Sequence, residues 1–223
     1  MRVEWFGQSA FLLRGEDGTT VAIDPFGDMS ALSSGHGIQW DYPPVSAEAH
    51  VLLVTHEHRD HNAVEAIDGE PHTLRSTAGT HESPLGPVVG IASEHDDAAG
   101  TERGPNTIFR FTLDGLDVAH MGDFGQSGLR EEQAAALEGV DLLFIPVGGG
   151  FTIGAEQAAL VIERLNPRWV VPMHYRTHRI GFLETADEFL EKAAAVEHVE
   201  GNSFQTAELT QTERPLIVVP AAP

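Results

Sequence analysis

The chain has 223 residues, of which 41% are hydrophobic, so a single domain with a well-buried core is expected over residues 1–223. It carries 34 acidic but 13 basic residues, and the resulting net charge of −21 argues against nucleic acid and anionic membranes as partners. It contains no cysteine, which excludes disulfides and thiolate chemistry.

Two further features concern location. No apolar run approaches membrane-spanning length, so no membrane insertion is expected. The segment 1–5 does not have the form of a signal peptide, and we therefore expect a cytoplasmic protein. The sequence does not indicate an oligomeric state.

The chain begins with three predicted short strands, at residues 2–6, 9–14 and 19–23. Asp24 follows the third strand, where it could either hold a ligand histidine from behind or begin a turn with Pro25. Residues 27–46 are rich in Gly, Ser and Pro and predict a long loop, which could form a wall of a site. His36 in this loop is interpreted as a surface histidine.

An apolar run, Val51 to Val54, predicts a buried strand and leads directly into four candidate metal ligands. They are His56, His58, Asp60 and His61. Their spacing turns the side chains toward one centre, on a loop at the carboxyl end of the strand where α/β proteins commonly place their sites. Imidazole and carboxylate groups suit zinc, manganese or iron, so the segment predicts a metal site.

Strands and helices alternate through the rest of the chain. Strands are predicted at 73–75, 88–91, 107–112, 116–120, 141–145, 169–172 and 215–219. Helices are predicted at 62–67, 128–138, 154–165 and 184–197. The order indicates an α/β fold in which two sheets are covered by helices on their outer faces.

Two later residues stand just past strand ends and are candidate ligands. His95 follows the strand near 88–91, and Asp123 follows the strand at 116–120 between two glycines. Asp123 is the best candidate for a carboxylate shared by two ions. Arg176 and His178 could meet an anionic substrate group, although a surface position is expected for either one.

The motif H-x-H-x-D-H at 56–61, followed by His95, Asp123 and His174 after successive strands, resembles the metallo-β-lactamase superfamily. The resemblance runs from Asp24 through Tyr175. It is strongest to the small bacterial and archaeal metal-dependent hydrolases of that superfamily, which are similar to ascorbate-phosphate lactonases. It implies a four-layer αβ/βα sandwich with a two-metal site at one edge.

The resemblance also implies roles for single residues. The first ion would be held by His56, His58 and His95. The second would be held by Asp60, His61 and His174, and Asp123 would bridge the two. Asp60 and Asp123 are the candidate catalytic residues, since Asp60 could also accept a proton. Two divalent ions are implied, zinc first, with manganese or iron as alternatives.

Some residues compete with this assignment or depart from the usual pattern. His120 and His81 are alternatives to His95, which is preferred because it ends a strand in the expected order. Asp96 stands where the small hydrolases more often have serine, and Phe124 where threonine or serine is usual. These departures leave metal binding intact and bear on the substrate, which the sequence does not identify.

These residues predict a two-metal hydrolase in which a metal-bound hydroxide attacks a phosphodiester, lactone or other ester in a small molecule. The alternative is an iron-dependent oxygenase or another redox enzyme on the same fold. The retained second-metal ligands argue against a single-iron sulfur dioxygenase, and the lack of a flavin domain argues against a flavodiiron protein. A complete ligand set argues against a non-catalytic module. Charge argues against a nuclease, and the missing secretion signal argues against β-lactam hydrolysis.

Overall fold

Two mixed β-sheets pack face to face in the computed structural model of the protein, which describes residues 1–31, 38–213 and 215–223. In chain order the strands are β1 (Arg2–Gly7), β2 (Ala10–Arg14), β3 (Thr20–Ile23), β4 (Ala47–Glu48), β5 (Val51–Val54), β6 (Ile67–Asp68), β7 (His72–Arg75), β8 (Gly79–Ser83), β9 (Gly86–Glu94), β10 (Pro105–Leu113), β11 (Leu116–His120), β12 (Leu142–Pro146), β13 (Trp169–Met173), β14 (Val196–Val199), β15 (Ser203–Gln205) and β16 (Leu216–Pro220). The helices are α1 (Glu131–Ala136), α2 (Ala155–Leu165) and α3 (Asp187–Glu191). Single 3₁₀ turns lie at Val64–Ala66 and Thr206–Glu208.

The strands of the larger sheet are parallel from one edge, β14, to β11, and antiparallel beyond it. The six-stranded sheet runs β15-β1-β2-β3-β5-β7, and the eight-stranded sheet runs β14-β16-β13-β12-β11-β10-β9-β8. In the larger sheet β11, β12, β13 and β16 are mutually parallel neighbours. Every residue of β12 and β13 is buried, as expected for parallel strands covered on both faces.

The alternation of side chains along β5 divides the interior into two cores. Val51 and Leu53 join the core between the two sheets, while Leu52 and Val54 point to the opposite face of the six-stranded sheet. The sheets meet where the Phe11 and Phe144 rings lie 4.5 Å apart. Each such fully buried phenylalanine contributes roughly 1.5–3 kcal/mol through removal of apolar surface from water.

The outer faces are covered differently. Buried residues of α2, such as Val161, and of α3, such as Phe189, extend the core of the eight-stranded sheet. The outer face of the six-stranded sheet packs against Phe26, Trp40 and Ile180, which lie in connecting segments. The α/β sandwich predicted from the sequence is confirmed.

The helix predictions also need correction. The helix predicted at 184–197 ends at Glu191, and Val196–Val199 instead forms β14, which pairs in parallel with β16. The helix predicted at 62–67 is one 3₁₀ turn, and the helix predicted at 128–138 shortens to α1. Strand pairing with a distant segment overrides local helix propensity in such short stretches. None of the helices in the described part of the chain is both long and apolar enough to cross a membrane.

Candidate metal centre

The candidate ligands lie at the ends of strands from both sheets. β5 leads into His56, and β9 ends one residue before His95. β11 leads into Asp123, and β13 ends one residue before His174. Because these ends meet at one edge of the sandwich, residues far apart in sequence converge.

Asp123 lies at the middle of the cluster. Its Oδ2 is 3.1 Å from His95 Nε2, 3.2 Å from His174 Nε2 and 3.3 Å from His61 Nε2. His56 Nε2 is 3.9 Å away. One carboxylate oxygen therefore faces four imidazole nitrogens, a geometry suited to a shared ligand of two cations.

The remaining donors form overlapping groups around this oxygen, and in each group the ligand atoms lie within 4.8 Å of one another. One group is His56, His58 and His95, and another is Asp60, His61 and His174. A third group, Asp24, His56 and His61, links these two. All seven residues predicted from the sequence are thus brought together, and their division between two ions is the one that the resemblance implies.

A hydrogen-bonded chain behind the cluster orients two of the histidines. Asp24 Oδ2 lies 2.9 Å from His61 Nδ1 and accepts from the Thr55 hydroxyl at 2.6 Å. Since the Thr55 hydroxyl donates to Asp24, it accepts from His56 Nδ1, 3.1 Å away. Both imidazoles therefore carry their proton on Nδ1 and turn Nε2 toward Asp123. Of the two roles open to Asp24, the structure shows that it contacts His61.

The Nε2 atoms of His56 and His61 are buried, and neither has a hydrogen-bond partner in the described structure. A buried acceptor without a partner carries a desolvation penalty that a protein seldom leaves uncompensated. An unprotonated imidazole nitrogen beside a carboxylate is a donor set that zinc, manganese or iron can use. The residues present therefore fit a metal centre.

The protonation states of the clustered residues also fit a metal centre. Burial alone would lower the pKa of His61, but Asp123, Asp60 and Asp24 raise it well above the usual value, so that without a cation His61 holds a second proton, which a bound cation would displace. Burial would raise the pKa of Asp123, but His174 and His61 hold it well below its usual range. Burial, with the charge of His61, lowers the pKa of His56 to about 3. Asp123 is thus ionised and His56 neutral, the states in which each binds a cation.

Residues that the sequence did not single out position Asp123. Asn106 Oδ1 accepts from the Asp123 backbone N–H at 3.1 Å, and the Ser9 hydroxyl donates to Asp123 Oδ1 at 3.3 Å. Gly122 has φ +56°, and a Cβ there would lie 2.4 Å from Asn106 Oδ1. The glycines around Asp123 were a signal for this close approach, whereas nothing in the sequence marked Ser9.

His174 is held in an unusual backbone conformation. Its φ is +51°, in the left-handed region that non-glycine residues rarely adopt. Its carbonyl accepts from Gly148 N at 3.1 Å, and a Cβ on Gly148 would lie 2.2 Å from that oxygen. Such strain is typical of functional positions that surrounding contacts impose.

The other candidates lie elsewhere. His120 is buried beside Phe11 and Phe144, with its Nε2 3.0 Å from the Ser9 carbonyl. His81 is on β8, with its Nε2 3.3 Å from Thr77 Oγ1. Neither belongs to the cluster, which leaves His95 in the position predicted.

Arg176 and His178 have the surface positions that the sequence favoured for them. Arg176 is exposed, and its Nε donates to the Leu183 carbonyl at 2.5 Å. His178 is exposed and does not line the cavity over the cluster. His36 lies outside the described residues.

A cavity of about 230 Å³ opens over the cluster. Its polar floor and apolar walls are formed by Ile38, His58, Asp60, His95, Arg103, Asp123, Phe151, His174 and Phe182. The cavity therefore offers both a charged centre and an apolar surface to a small molecule.

Comparison with known proteins defines the class. Residues 2–174 match the family described as the Beta-lactamase superfamily domain. A relative from Methanosphaera stadtmanae, described as a UPF0173 metal-dependent hydrolase, is 31% identical over 205 residues, which cover 79% of this chain and 85% of the relative. A Thermococcus kodakarensis relative with the same description is also 31% identical over 205 residues. The chain belongs to the metallo-β-lactamase superfamily, which confirms the resemblance seen in the sequence.

A solved structure agrees. The Thermotoga maritima protein, described as a candidate Zn-dependent hydrolase of the metallo-β-lactamase superfamily, is 28% identical and superimposes with a TM-score of 0.78. The match covers 99% of this chain and 98% of that one. The metallo-β-lactamase fold is therefore confirmed for the whole chain.

Proposed function

We propose that this chain holds two divalent metal ions and hydrolyses an ester, lactone or phosphodiester bond in a small molecule. The broader class, metal-dependent hydrolase, is the description of its relatives over most of their length. The observation that carries the proposal is the position of Asp123 Oδ2, which faces the Nε2 atoms of His61, His95 and His174 at 3.1–3.3 Å.

The ligand assignment follows the two groups around Asp123. The first ion would be bound by His56, His58 and His95, and the second by Asp60, His61 and His174. Asp123 would serve both. Zinc suits this mixture of imidazole and carboxylate, and manganese or iron are the alternatives.

When bound, the ions would lower the pKa of a water toward ~7 and polarise the substrate oxygen. In the overall reaction the oxygen of one water bonds to the carbonyl carbon or phosphorus, and the bond to the leaving oxygen breaks. The leaving oxygen then takes a proton. Asp60 would relay that proton; its side chain is 23% exposed and lines the cavity, which supports this role.

Elemental analysis of the purified protein, joined to an activity assay, tests the proposal. We expect about two equivalents of one divalent metal per chain, the number of ions a dinuclear site requires. Hydrolysis of 4-nitrophenyl butyrate or bis(4-nitrophenyl) phosphate should stop on chelation and return with added zinc, manganese or ferrous iron. Asp123→Asn should lose activity, whereas Asp17→Asn, at an exposed turn, serves as the control.

Two outcomes would overturn the proposal. Hydrolysis that persists after chelation, with metal shown to be absent by elemental analysis, would exclude metal-dependent chemistry. Iron accompanied by oxygen uptake and no hydrolysis would favour the oxygenase alternative. The cytoplasmic location stays a prediction, which fractionation of cells expressing the untagged chain would test.

A further inference from the structure

Arg103 is the one strongly basic side chain among the described residues that line the cavity. Its guanidinium carbon lies 4.1 Å from the centroid of the Phe151 ring, and within the described part of the chain no carboxylate forms an ion pair with it. When the flat face of a guanidinium lies over an aromatic ring, the N–H groups at its edge remain free to bind an anion. Arg103 is exposed, so in a chain with net charge −21 this arginine beside a candidate metal centre is available to an anionic ligand.

The loop that carries Arg103 is fixed to the metal centre by Asp96. The Asp96 carboxylate accepts backbone N–H groups from Ala98, Gly100, Glu102 and Arg103, at 2.7–3.1 Å. The loop closes where His95 N donates to the Gly104 carbonyl at 3.1 Å. Since Asp96 directly follows the candidate ligand His95, it sets the position of Arg103 relative to the cluster. This gives a structural role to the aspartate that departs from the usual serine.

Apolar groups stand beside the arginine. Phe151 is 39% exposed, and its ring centroid lies 5.8 Å from that of Phe182. Ile38 completes the apolar part of the cavity wall. His95, Arg103 and Phe151 also line a second cavity of about 270 Å³, so the arginine stands between two spaces that a ligand can enter.

We propose that the substrate carries a carboxylate or phosphate that Arg103 binds, with its apolar part against Phe151 and Phe182. This inference rests on the proposed function, because it concerns the substrate of the same site. Arg103 would be the residue that determines specificity for anionic esters. It replaces Arg176, whose Nε is committed to the Leu183 carbonyl.

A binding experiment tests the arginine without turnover. Phenylphosphonate, a compact anion with a ring and no hydrolysable ester, is titrated calorimetrically into the zinc-loaded protein and its variants. A hydrogen bond to a charged group is strong enough that Arg103→Met should raise the Kd roughly 10- to 100-fold. Arg103→Lys keeps the positive charge but loses the planar guanidinium, so its Kd should lie between those of the wild type and of Arg103→Met. Arg164→Met removes one positive charge from the distant helix α2 and should leave the Kd unchanged.

A kinetic comparison tests the substrate class. Mono-4-nitrophenyl succinate bears a carboxylate, and 4-nitrophenyl butyrate is its uncharged counterpart. Arg103→Met should raise KM for the succinate ester roughly 10- to 100-fold and leave the butyrate ester unchanged. If Arg103→Met affects both esters equally, or affects neither of them, Arg103 does not bind the anionic group of the substrate, whatever the phenylphosphonate Kd.

The two proposals fail in different ways. If no ester is hydrolysed but the phenylphosphonate Kd still depends on Arg103, the hydrolase proposal fails and the anion site stands. If both esters are hydrolysed in a metal-dependent manner without regard to Arg103, the hydrolase stands and the anion site fails. Circular dichroism of each variant confirms that it is folded.

Discussion

Asp24 ties the six-stranded sheet to the candidate metal centre through a single side chain. Its carboxylate accepts from Thr55 N at 2.7 Å and Thr55 Oγ1 at 2.6 Å, and it lies 2.9 Å from His61 Nδ1. Every partner is a donor, so the site requires an acceptor on both oxygens. Asp24 thereby selects the tautomer of His61 that leaves Nε2 free.

We expect Asp24→Asn to weaken zinc binding roughly 10- to 100-fold, as loss of the group behind a ligand histidine usually does. The amide nitrogen would face donors and favour the tautomer of His61 that carries its proton on Nε2. A competition titration with a chromophoric chelator measures the affinity, and Asp17→Asn is the matched control with the same change of charge. Equal zinc affinity in both variants would contradict this role.

His120 makes stability depend on pH although it is not a candidate ligand. Its Nδ1 accepts from Gly122 N at 3.1 Å, and its Nε2 lies 3.0 Å from the Ser9 carbonyl. Burial lowers its pKa below the usual 6.5. The folded protein therefore keeps His120 neutral at a pH where the unfolded chain binds a proton there.

The free energy of unfolding should fall as the pH is lowered through 6.5, because the unfolded state then takes up a proton that folded His120 excludes. Between pH 7.5 and 5.5 the wild type should lose roughly 1 kcal/mol more than His120→Gln. Urea unfolding at both pH values, with a chelator present to exclude metal effects, measures the difference. Parallel losses in the two proteins would assign the pH dependence to other histidines.

At the scale of elements, patterns within a short window were predictable and long-range pairings were not. The apolar run of β5 and the motif that follows it have the positions expected, because local spacing determines both. The second half of the helix predicted at 184–197 is a strand, because β14 takes its conformation from β16. Ser9 and Asp123 are 114 positions apart, so their hydrogen bond had no signature in the sequence.

The anion site also depends on contacts that the local sequence does not reveal. Arg176 follows His174 closely in the sequence, yet its side chain donates to the Leu183 carbonyl. Arg103 lies in a polar segment without a motif. Its position depends on the four backbone hydrogen bonds to Asp96, which only the folded loop reveals.

The segment after β11 packs directly on the loop after β9, and Gly125 allows this contact. A Cβ on Gly125 would lie 2.4 Å from the His95 carbonyl carbon and 2.5 Å from its oxygen. Gly125 N also donates to the Glu94 carbonyl at 2.9 Å. A side chain at this position would push apart the loop that carries His95 and the segment that carries Asp123.

Gly125→Ala should lower the free energy of unfolding by roughly 1–3 kcal/mol, as overpacking of a tight contact does, and should weaken zinc binding. Gly128→Ala provides the control, since a Cβ there meets no atom within 4 Å. Chemical denaturation and zinc competition measure the two effects. Equal free energies of unfolding and equal zinc affinities in the two alanine variants would show that the loops can move apart without loss of stability.

At the scale of the whole molecule, strong negative charge and a cation site act together. The net charge of −21 destabilises the compact state through self-repulsion, and divalent ions bound at the candidate metal centre would offset part of it at the edge where the two sheets meet. The candidate ligands come from loops after strands of both sheets, so an ion bound there would bridge the sandwich. Metal binding should therefore stabilise the fold as a unit.

One core joins residues of both large sheets and of helices α1, α2 and α3, from Met1 to Val219. We expect calorimetry to show a single unfolding transition over residues 1–223, with metal and without it, because neither sheet can bury its inner face alone. Zinc at 100 times its Kd should stabilise the protein by about 2.7 kcal/mol per site and raise the transition temperature. In the same calorimetric experiment, zinc should raise the transition temperature of Asp123→Asn much less than that of the wild type. Two transitions, with one of them insensitive to zinc, would mean that the sheets unfold separately and that the chain is not one domain.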